Sequence, residues 1–283
     1  MIDQPVNDIQ VTKFSGKVET LNLNKLRSSL TRSGADILQA DEIIEKILKT
    51  LDPTTSTRKI YRLARKYLRQ LNHASGLRYS LKRALQKLGP SGYTFEKYFG
   101  AILENYGYEV KVGVMLEGRC VKHEVDVIAV NDNEVLLFEC KYRNKPANTT
   151  DVKVAMYVDS RFRDLKPVII QEYPGRTFRG GLVTNTRFTS DAVKYAECSG
   201  LRVTSWRHPQ KKSLESLIED KRLYPITIIS GIKSGLVRSL IAHDIILLKD
   251  LAGMDIKDMM RMLSLPEKKA LALKKQADDL CLC

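Results

Sequence analysis

The chain has 283 residues, of which 43% are hydrophobic and 28% charged, with a formal net charge of +14 and a pI near 9.5. That length suffices for two or three domains with cores of their own, and the basic excess favours a polyanionic partner. No run approaches the roughly 18 apolar residues of a membrane span, the polar start MIDQPVNDIQ lacks a signal-peptide core, and five scattered cysteines form no disulfide framework or Cys-x-x-Cys zinc pattern, so a cytoplasmic protein with no membrane partner is expected.

In chain order, Val11–Ala35 opens with a short strand, a turn at Gly16 and a second short strand. A helix follows from about Asn24, with Leu23, Leu26 and Leu30 at helical spacing. A second helix, Asp41 to Lys49, turns Ile43, Ile44, Ile47 and Leu48 inward. Asp52-Pro53 breaks the chain, and Thr54-Thr55-Ser56-Thr57 offers N-cap oxygens to a helix from Arg58 to Leu71. That helix sets Ile60, Leu63, Ala64, Tyr67, Leu68 and Leu71 on one side and Arg62, Arg65, Lys66 and Arg69 on the other. From Pro53 to Phe95 there are ten lysines and arginines and no acid, and 17 basic residues stand against 8 acidic ones through Leu88. A solvated helix face mixes signs, so the bias suggests a polyphosphate surface serving DNA backbone, nucleotide phosphates or both.

The start of this segment reads V-x-K-x-x-G-x-x-E-x-x-N-x-x-K. It resembles the ATP-cone, the small nucleotide-binding domain of ribonucleotide reductases and of the repressor controlling their operons, over roughly Val11 to Lys87. The resemblance implies that Val11, Lys13, Glu19, Asn22, Lys25 and Thr57 contact ATP or dATP, bound as an allosteric ligand. The residue types suit that role, because lysines meet triphosphate oxygens while Glu and Asn hydrogen-bond sugar or base. Phe14 departs from the family, which usually has arginine there. A small helical DNA-binding or interaction domain without nucleotide is the alternative. The chain has no Walker A loop, so nothing suggests ATP hydrolysis.

Gly89-Pro90-Ser91-Gly92 marks a domain boundary. A helix is predicted from Thr94 to Asn105 with Phe95, Phe99, Ile102 and Leu103 buried, ended by Gly107 before a strand near Tyr108. His123–Lys141 then reads as a β-hairpin, two β-branched runs joined by Asn131-Asp132-Asn133. If Val130 faces Val135, the register sets Asp126 opposite Glu139 and Glu124 opposite Lys141, all on one face by the two-residue alternation of a strand. Opposed carboxylates repel, and a divalent cation between them removes the conflict. A half-exposed hairpin with a Glu124–Lys141 pair is the ordinary reading of the same residues.

Asp126, twelve residues, then Glu139-Cys140-Lys141 resembles the D…ExK core of the PD-(D/E)xK nuclease superfamily, in its Mrr-like and Holliday-junction-resolvase-like branch. Val125 stands where the superfamily's proline would be. The resemblance implies that Asp126 and Glu139 bind Mg²⁺ or Mn²⁺, that Lys141 orients or deprotonates the attacking water, and that Glu96 reaches the metal site. In Glu96 the competing reading is a first-turn acid facing the helix dipole.

Beyond the hairpin a helix is predicted over Asp151–Leu165, with Lys153, Arg161 and Arg163 touching phosphates or simply solvated. Strands near Pro167–Gln171 and Gly181–Thr184, a helix Ser190–Cys198, a strand Leu201–Trp206 and a helix Ser213–Glu219 follow. The segment from Tyr224 reads as all-helical and loosely resembles a helix-hairpin-helix, with His243-Asp244-Ile245 where a glycine turn is usual. The expected architecture is multidomain α/β. It comprises an ATP-cone at residues 1–88, a mixed sheet flanked by helices in a restriction-endonuclease-like domain at 89–222, and an all-α unit at 223–283. The function expected is ATP- or dATP-regulated, metal-dependent DNA cleavage, with homo-oligomerisation left open. The alternatives are a non-catalytic, nucleotide-responsive DNA-binding protein and a nucleotide-sensing adaptor.

Overall fold

The computed structural model describes residues 9–13, 15–89 and 92–281. Phe14 and the middle of the Gly89–Gly92 junction lie outside the described residues. The chain divides into two compact units, one ending at Leu81 and one running from Lys82 to Cys281. None of the described helices is long and apolar enough to cross a membrane.

The first unit contains β1 (Gln10–Thr12), β2 (Val18–Thr20), α1 (Leu23–Arg32), α2 (Ile37–Leu48), β3 (Thr54–Ser56), α3 (Thr57–Leu71) and α4 (His73–Arg78). Its sheet has the order β2-β1-β3, with β1 antiparallel to β2 and parallel to β3. Leu26, Leu30, Ile43, Ile44, Ile47, Ile60, Ala64 and Leu68 close one core over Val11. The second helix starts four residues earlier than its apolar spacing suggests. A capping box between Asp36 and Gln39 begins it, while Ile37 and Leu38 are exposed and give no periodic signal. Thr54–Ser56 forms a strand, and only Ser56 caps α3, accepting from the Lys59 amide at 3.2 Å. Leu71, expected in the core, is exposed at the end of α3, where Asn72 turns the chain into α4.

In the second unit α5 (Leu81–Leu85) and α6 (Gly92–Asn105) precede β4 (Glu109–Glu117), β5 (Lys122–Val130), β6 (Glu134–Lys141) and the short β7 (Thr149–Thr150). Then come α7 (Val152–Glu172), β8 (Thr177–Thr184), the short β9 (Arg187–Phe188), α8 (Ser190–Ser199), β10 (Arg202–Thr204) and α9 (Leu214–Asp220). The main sheet runs β10-β8-β6-β5-β4, an antiparallel β4-β5-β6 meander continued by parallel β8 and β10. One face packs on α6, where Phe99 meets Phe138 edge-on at 5.0 Å. The other packs on α7 through Val158, Phe162, Leu165 and Ile169.

The predicted strand at Pro167–Gln171 does not form, because α7 continues unbroken through Pro167 to Glu172. Proline there removes one helical hydrogen bond, at a cost of ~3 kcal/mol or more. Burial of Leu165 and Ile169 on the stripe begun by Val158 and Phe162 offsets that loss. Gly180 and Gly181 let side chains from opposite faces close on β8. A Cβ at Gly180 would lie 2.3 Å from the Phe162 ring, and one at Gly181 2.5 Å from the Phe138 ring. Gly180→Ala is therefore expected to destabilise by about 1–3 kcal/mol through overpacking. A denaturant midpoint unchanged from wild type would contradict it.

The C-terminal helices, α10 (Ser234–Ala242), α11 (Leu248–Gly253), α12 (Ile256–Leu263) and α13 (Glu267–Cys281), follow a 3₁₀ turn at Ile226–Ile228. They belong to the second unit, tied to it where Thr227 donates to the Ala84 carbonyl at 2.7 Å and Lys97 pairs with Asp244 at 2.5 Å. Asp244 takes a left-handed conformation (φ 57°) at the turn between α10 and α11, where a glycine is the common choice.

Candidate active site

The hairpin closes as its turn residues dictate. The Asn131 side chain accepts from the amides of Asn133 and Glu134, both at 2.9 Å, and Val130 pairs with Val135. The β5–β6 ladder runs to Val127–Phe138, one step short of Asp126 and Glu139. The β4–β5 ladder has a matching gap, skipping only Gly113 opposite Asp126. Gly113 has φ 64°, which glycine adopts without strain. Both strands roll over at this step. Val110 and Val112 lie against Gly100 of α6, whereas Val114 and Leu116, of the same parity, join the core beneath α7.

The roll decides which residues meet. The Asp126 carboxylate leaves its ladder and accepts from the Cys140 amide at 2.6 Å. Glu139, with 5% of its side chain exposed, receives Lys141 Nζ on one oxygen and Arg161 on the other at 2.5 Å. The expected Glu124–Lys141 facing pair is not made. Glu124 pairs with Met115 of β4, and Lys141 turns to Glu139 because the register does not survive the roll. Thr184 Oγ1 donates to the Lys141 carbonyl at 2.7 Å, and Asn185 makes two hydrogen bonds with the Arg143 backbone, fixing the end of β6.

Glu96 arrives from α6. It is the fifth helical residue rather than a first-turn one, but its Oε1 folds back to 3.2 Å from where a Cβ on Gly92 would stand. Burial, then the charges of Asp126, Glu124 and Glu139, push its carboxyl up to about 7. Burial and the Glu139 charge likewise push Asp126 up to about 6. Asp126, Glu139, Lys141 and Glu96 thus share one electrostatic neighbourhood. Both raised carboxyls bind protons more tightly in the folded than in the unfolded chain. Their contribution to stability is full below about pH 4 and is lost as pH rises through about 6 to 7. The melting temperature in EDTA is expected to fall over that window, and Glu96→Gln with Asp126→Asn to flatten the fall. An identical pH slope in the double variant would assign the effect elsewhere.

Arg161, which the sequence places in solvent or on phosphate with solvent favoured, turns instead to the carboxylates. Its side chain is only 13% exposed, and its guanidinium reaches Glu139, the Glu124 carbonyl at 3.0 Å and the Tyr157 hydroxyl at 2.7 Å. The available signal was its position three after Val158 and four before Leu165, a charge inside a buried helical stripe. One turn on, Asp164 accepts from the amides of Cys120 and Val121 and bonds His123 Nε2 at 2.8 Å. The His123 hydrogen bond, with that of Cys120, holds its carboxyl down at about 2. This pins α7 to the start of β5.

The expected nucleotide residues lie in the first unit. Val11 is buried in the core, and Asn22 caps α1, accepting from the Lys25 amide at 2.8 Å. Lys13 pairs with Glu19 at 2.5 Å, and that hydrogen bond lowers the Glu19 carboxyl, helped by the charges of Lys13, Lys25 and Lys17. Thr57 is the first residue of α3.

Comparison with known proteins gives this geometry a family. Residues 88–210 match the restriction endonuclease family of Mrr catalytic domains, and residues 224–281 match the AF1548-like C-terminal family. Both matches begin after residue 87. An uncharacterized protein of Archaeoglobus fulgidus is 37% identical over 169 residues, 60% of this chain and 91% of its own length. The crystal structure of the protein of unknown function AF1548 superposes with a TM-score of 0.57 at 34% identity, covering 68% of this chain and 98% of that one. Can2 from Sulfobacillus thermosulfidooxidans, solved with cyclic tetra-adenylate, gives a TM-score of 0.33 at 16% identity over 46% of this chain and 35% of Can2. The chain belongs to the AF1548-like family, with a restriction endonuclease domain at residues 88–210 followed by the family's C-terminal helical domain.

Proposed function

We propose that the protein is a divalent-metal-dependent DNA endonuclease that hydrolyses phosphodiester bonds at Asp126, Glu139 and Lys141. The observation that carries this reading is the convergence of Asp126, Glu139 and Glu96 from three elements, with the Asp126 and Glu96 carboxyls pushed up by burial and then by neighbouring carboxylate charge. Such crowding is costly in a resting protein and is relieved by a bound cation.

Among the described residues no three Asp, Glu, His or Cys side chains stand at metal-holding geometry. The donor chemistry nevertheless fits, since Mg²⁺ or Mn²⁺ takes one or two carboxylates and completes its shell with water and phosphate oxygens. Asp126 and Glu139 would hold it, with Glu96 as a further oxygen donor. A metal there supplies a water of lowered pKa and charge opposite the phosphate. Lys141 stands beside Glu139, where its ammonium orients that water and offsets charge on the pentacovalent phosphate. Arg161 holds the second Glu139 oxygen and the Glu124 carbonyl, keeping the carboxylates aligned.

The N-terminal unit is read as the place where ATP or dATP acts as an allosteric ligand. Supporting this are three lysines, Lys13, Lys17 and Lys25, that share the surroundings of Glu19. A rival function, nucleotide-responsive DNA binding without cleavage, would leave the same carboxylates idle.

Nicking of supercoiled plasmid tests the reading, with Mg²⁺ or Mn²⁺ against EDTA, with and without ATP or dATP, beside Glu139→Ala. Metal-dependent cutting abolished in the variant is expected. DNA binding with no cutting, on branched as well as plain substrates, would hand the function to the rival. Rates indifferent to ATP and dATP would remove the nucleotide from the account.

A further inference from the structure

We propose that the cationic face of α3 is a binding site for the DNA backbone, on the first unit and additional to the carboxylates of the nuclease domain. The inference rests on the nuclease reading for the identity of its ligand. A concavity of about 430 Å³ opens there, lined by Tyr61, Arg62, Arg65, Lys66, Arg69 and His73 among others. The four cations fall at i, i+3, i+4 and i+7, which places them on one helix face. At 1.5 Å of rise per residue they extend along roughly 10 Å, which spans about three phosphates of one strand when α3 runs along the duplex axis, where each strand carries one charge per ~3.4 Å. A row suits a polymer backbone, whereas a lone triphosphate is better met by cations converging on one point.

Arg62, Lys66 and Arg69 are exposed, and none forms an ion pair with an acid among the described residues. The Arg62–Lys66 and Arg65–Arg69 pairs put like charges four residues apart, which weakens a helix rather than supporting it. The row is also held in place. A Cβ on Gly76 of α4 would lie 2.1 Å from Arg69 Cγ, so α4 is packed directly against the Arg69 stem. Aromatic rings are interleaved, with Tyr61 stacked on Tyr79 at 5.2 Å and Lys66 over Tyr67 at 5.9 Å.

The test is fluorescence anisotropy of the full-length protein with duplex DNA in EDTA, over a salt series. The triple variant Arg62→Gln, Lys66→Gln, Arg69→Gln is compared with a control, Lys268→Gln, Lys269→Gln, Lys275→Gln, on the exposed side of α13. Each phosphate that is no longer neutralised lowers the slope of log K against log salt by about 0.9, so the α3 variant should lose about 2 to 3 from the slope and the control almost nothing. Melting of the α3 variant should match or exceed wild type, because like-charge repulsion is removed. Equal slopes for α3 variant and control overturn the inference while leaving the nuclease reading intact. Loss of ATP binding with unchanged DNA binding overturns it in favour of a nucleotide pocket. Wild-type protein that binds neither plain nor branched DNA at any salt overturns this site, while the plasmid-nicking assay decides the nuclease reading separately.

Discussion

Lys141→Ala is expected to leave a folded protein whose metal-dependent nicking is slower by about 10²–10³-fold, the usual cost of removing a charge-stabilising donor. Lys141 is the last residue of β6, and its backbone is held independently of its side chain. Its strand partner is Thr184 of β8, whose hydroxyl donates to its carbonyl, and the Asn185–Arg143 pair secures the next turn. Truncation therefore removes an ammonium without moving the strand. Glu139 keeps Arg161 as a partner, so the melting temperature should change little. Lys141→Arg should recover only part of the rate, because a planar fork does not occupy the place of a compact ammonium. A Lys141→Ala protein that cuts at wild-type speed would refute the assigned role.

The proximity of Asp126 and Glu139 is legible in the sequence because the two lie on neighbouring strands of one hairpin. The turn chemistry of Asn131–Asn133 set the register, and the register set Asp126 near Glu139. What could not be read was the roll at Gly113 and Asp126. It follows from a positive φ in the edge strand and leaves the apolar alternation of β4 looking regular. Glu124 and Lys141 were consequently expected to face one another and do not. The same limit applies to α7, where the strand expected at Pro167–Gln171 gives way to helix because Ile169 is buried against distant residues. In the first unit, Asp36 and Gln39 began α2 through hydrogen bonds, a signal independent of the apolar spacing that fixed the rest of the helix.

Arg161→Ala should have the largest effect on the fold of the site. Glu139 is almost fully buried between two cations, and stripping the sole partner from a buried charge costs about 3–5 kcal/mol. Lys141 remains and the carboxyl can take up a proton, so a loss nearer to about 2 kcal/mol is expected. For a domain of this size that is about 4–8 °C of melting temperature. The loss in EDTA should exceed the loss in excess Mn²⁺, because a cation binding the freed Glu139 oxygen substitutes for the guanidinium charge. Rate should fall as well, up to about 10²-fold, since misplacing a catalytic group by an ångström costs that much. Arg161→Lys separates charge from shape. A single ammonium can restore the pairing with Glu139, but it cannot also reach the Glu124 carbonyl and the Tyr157 hydroxyl. Thermal stability should then return more fully than activity. If Arg161→Ala melts and cuts like wild type in both conditions, the guanidinium is a bystander and the carboxylates are aligned by the strands alone.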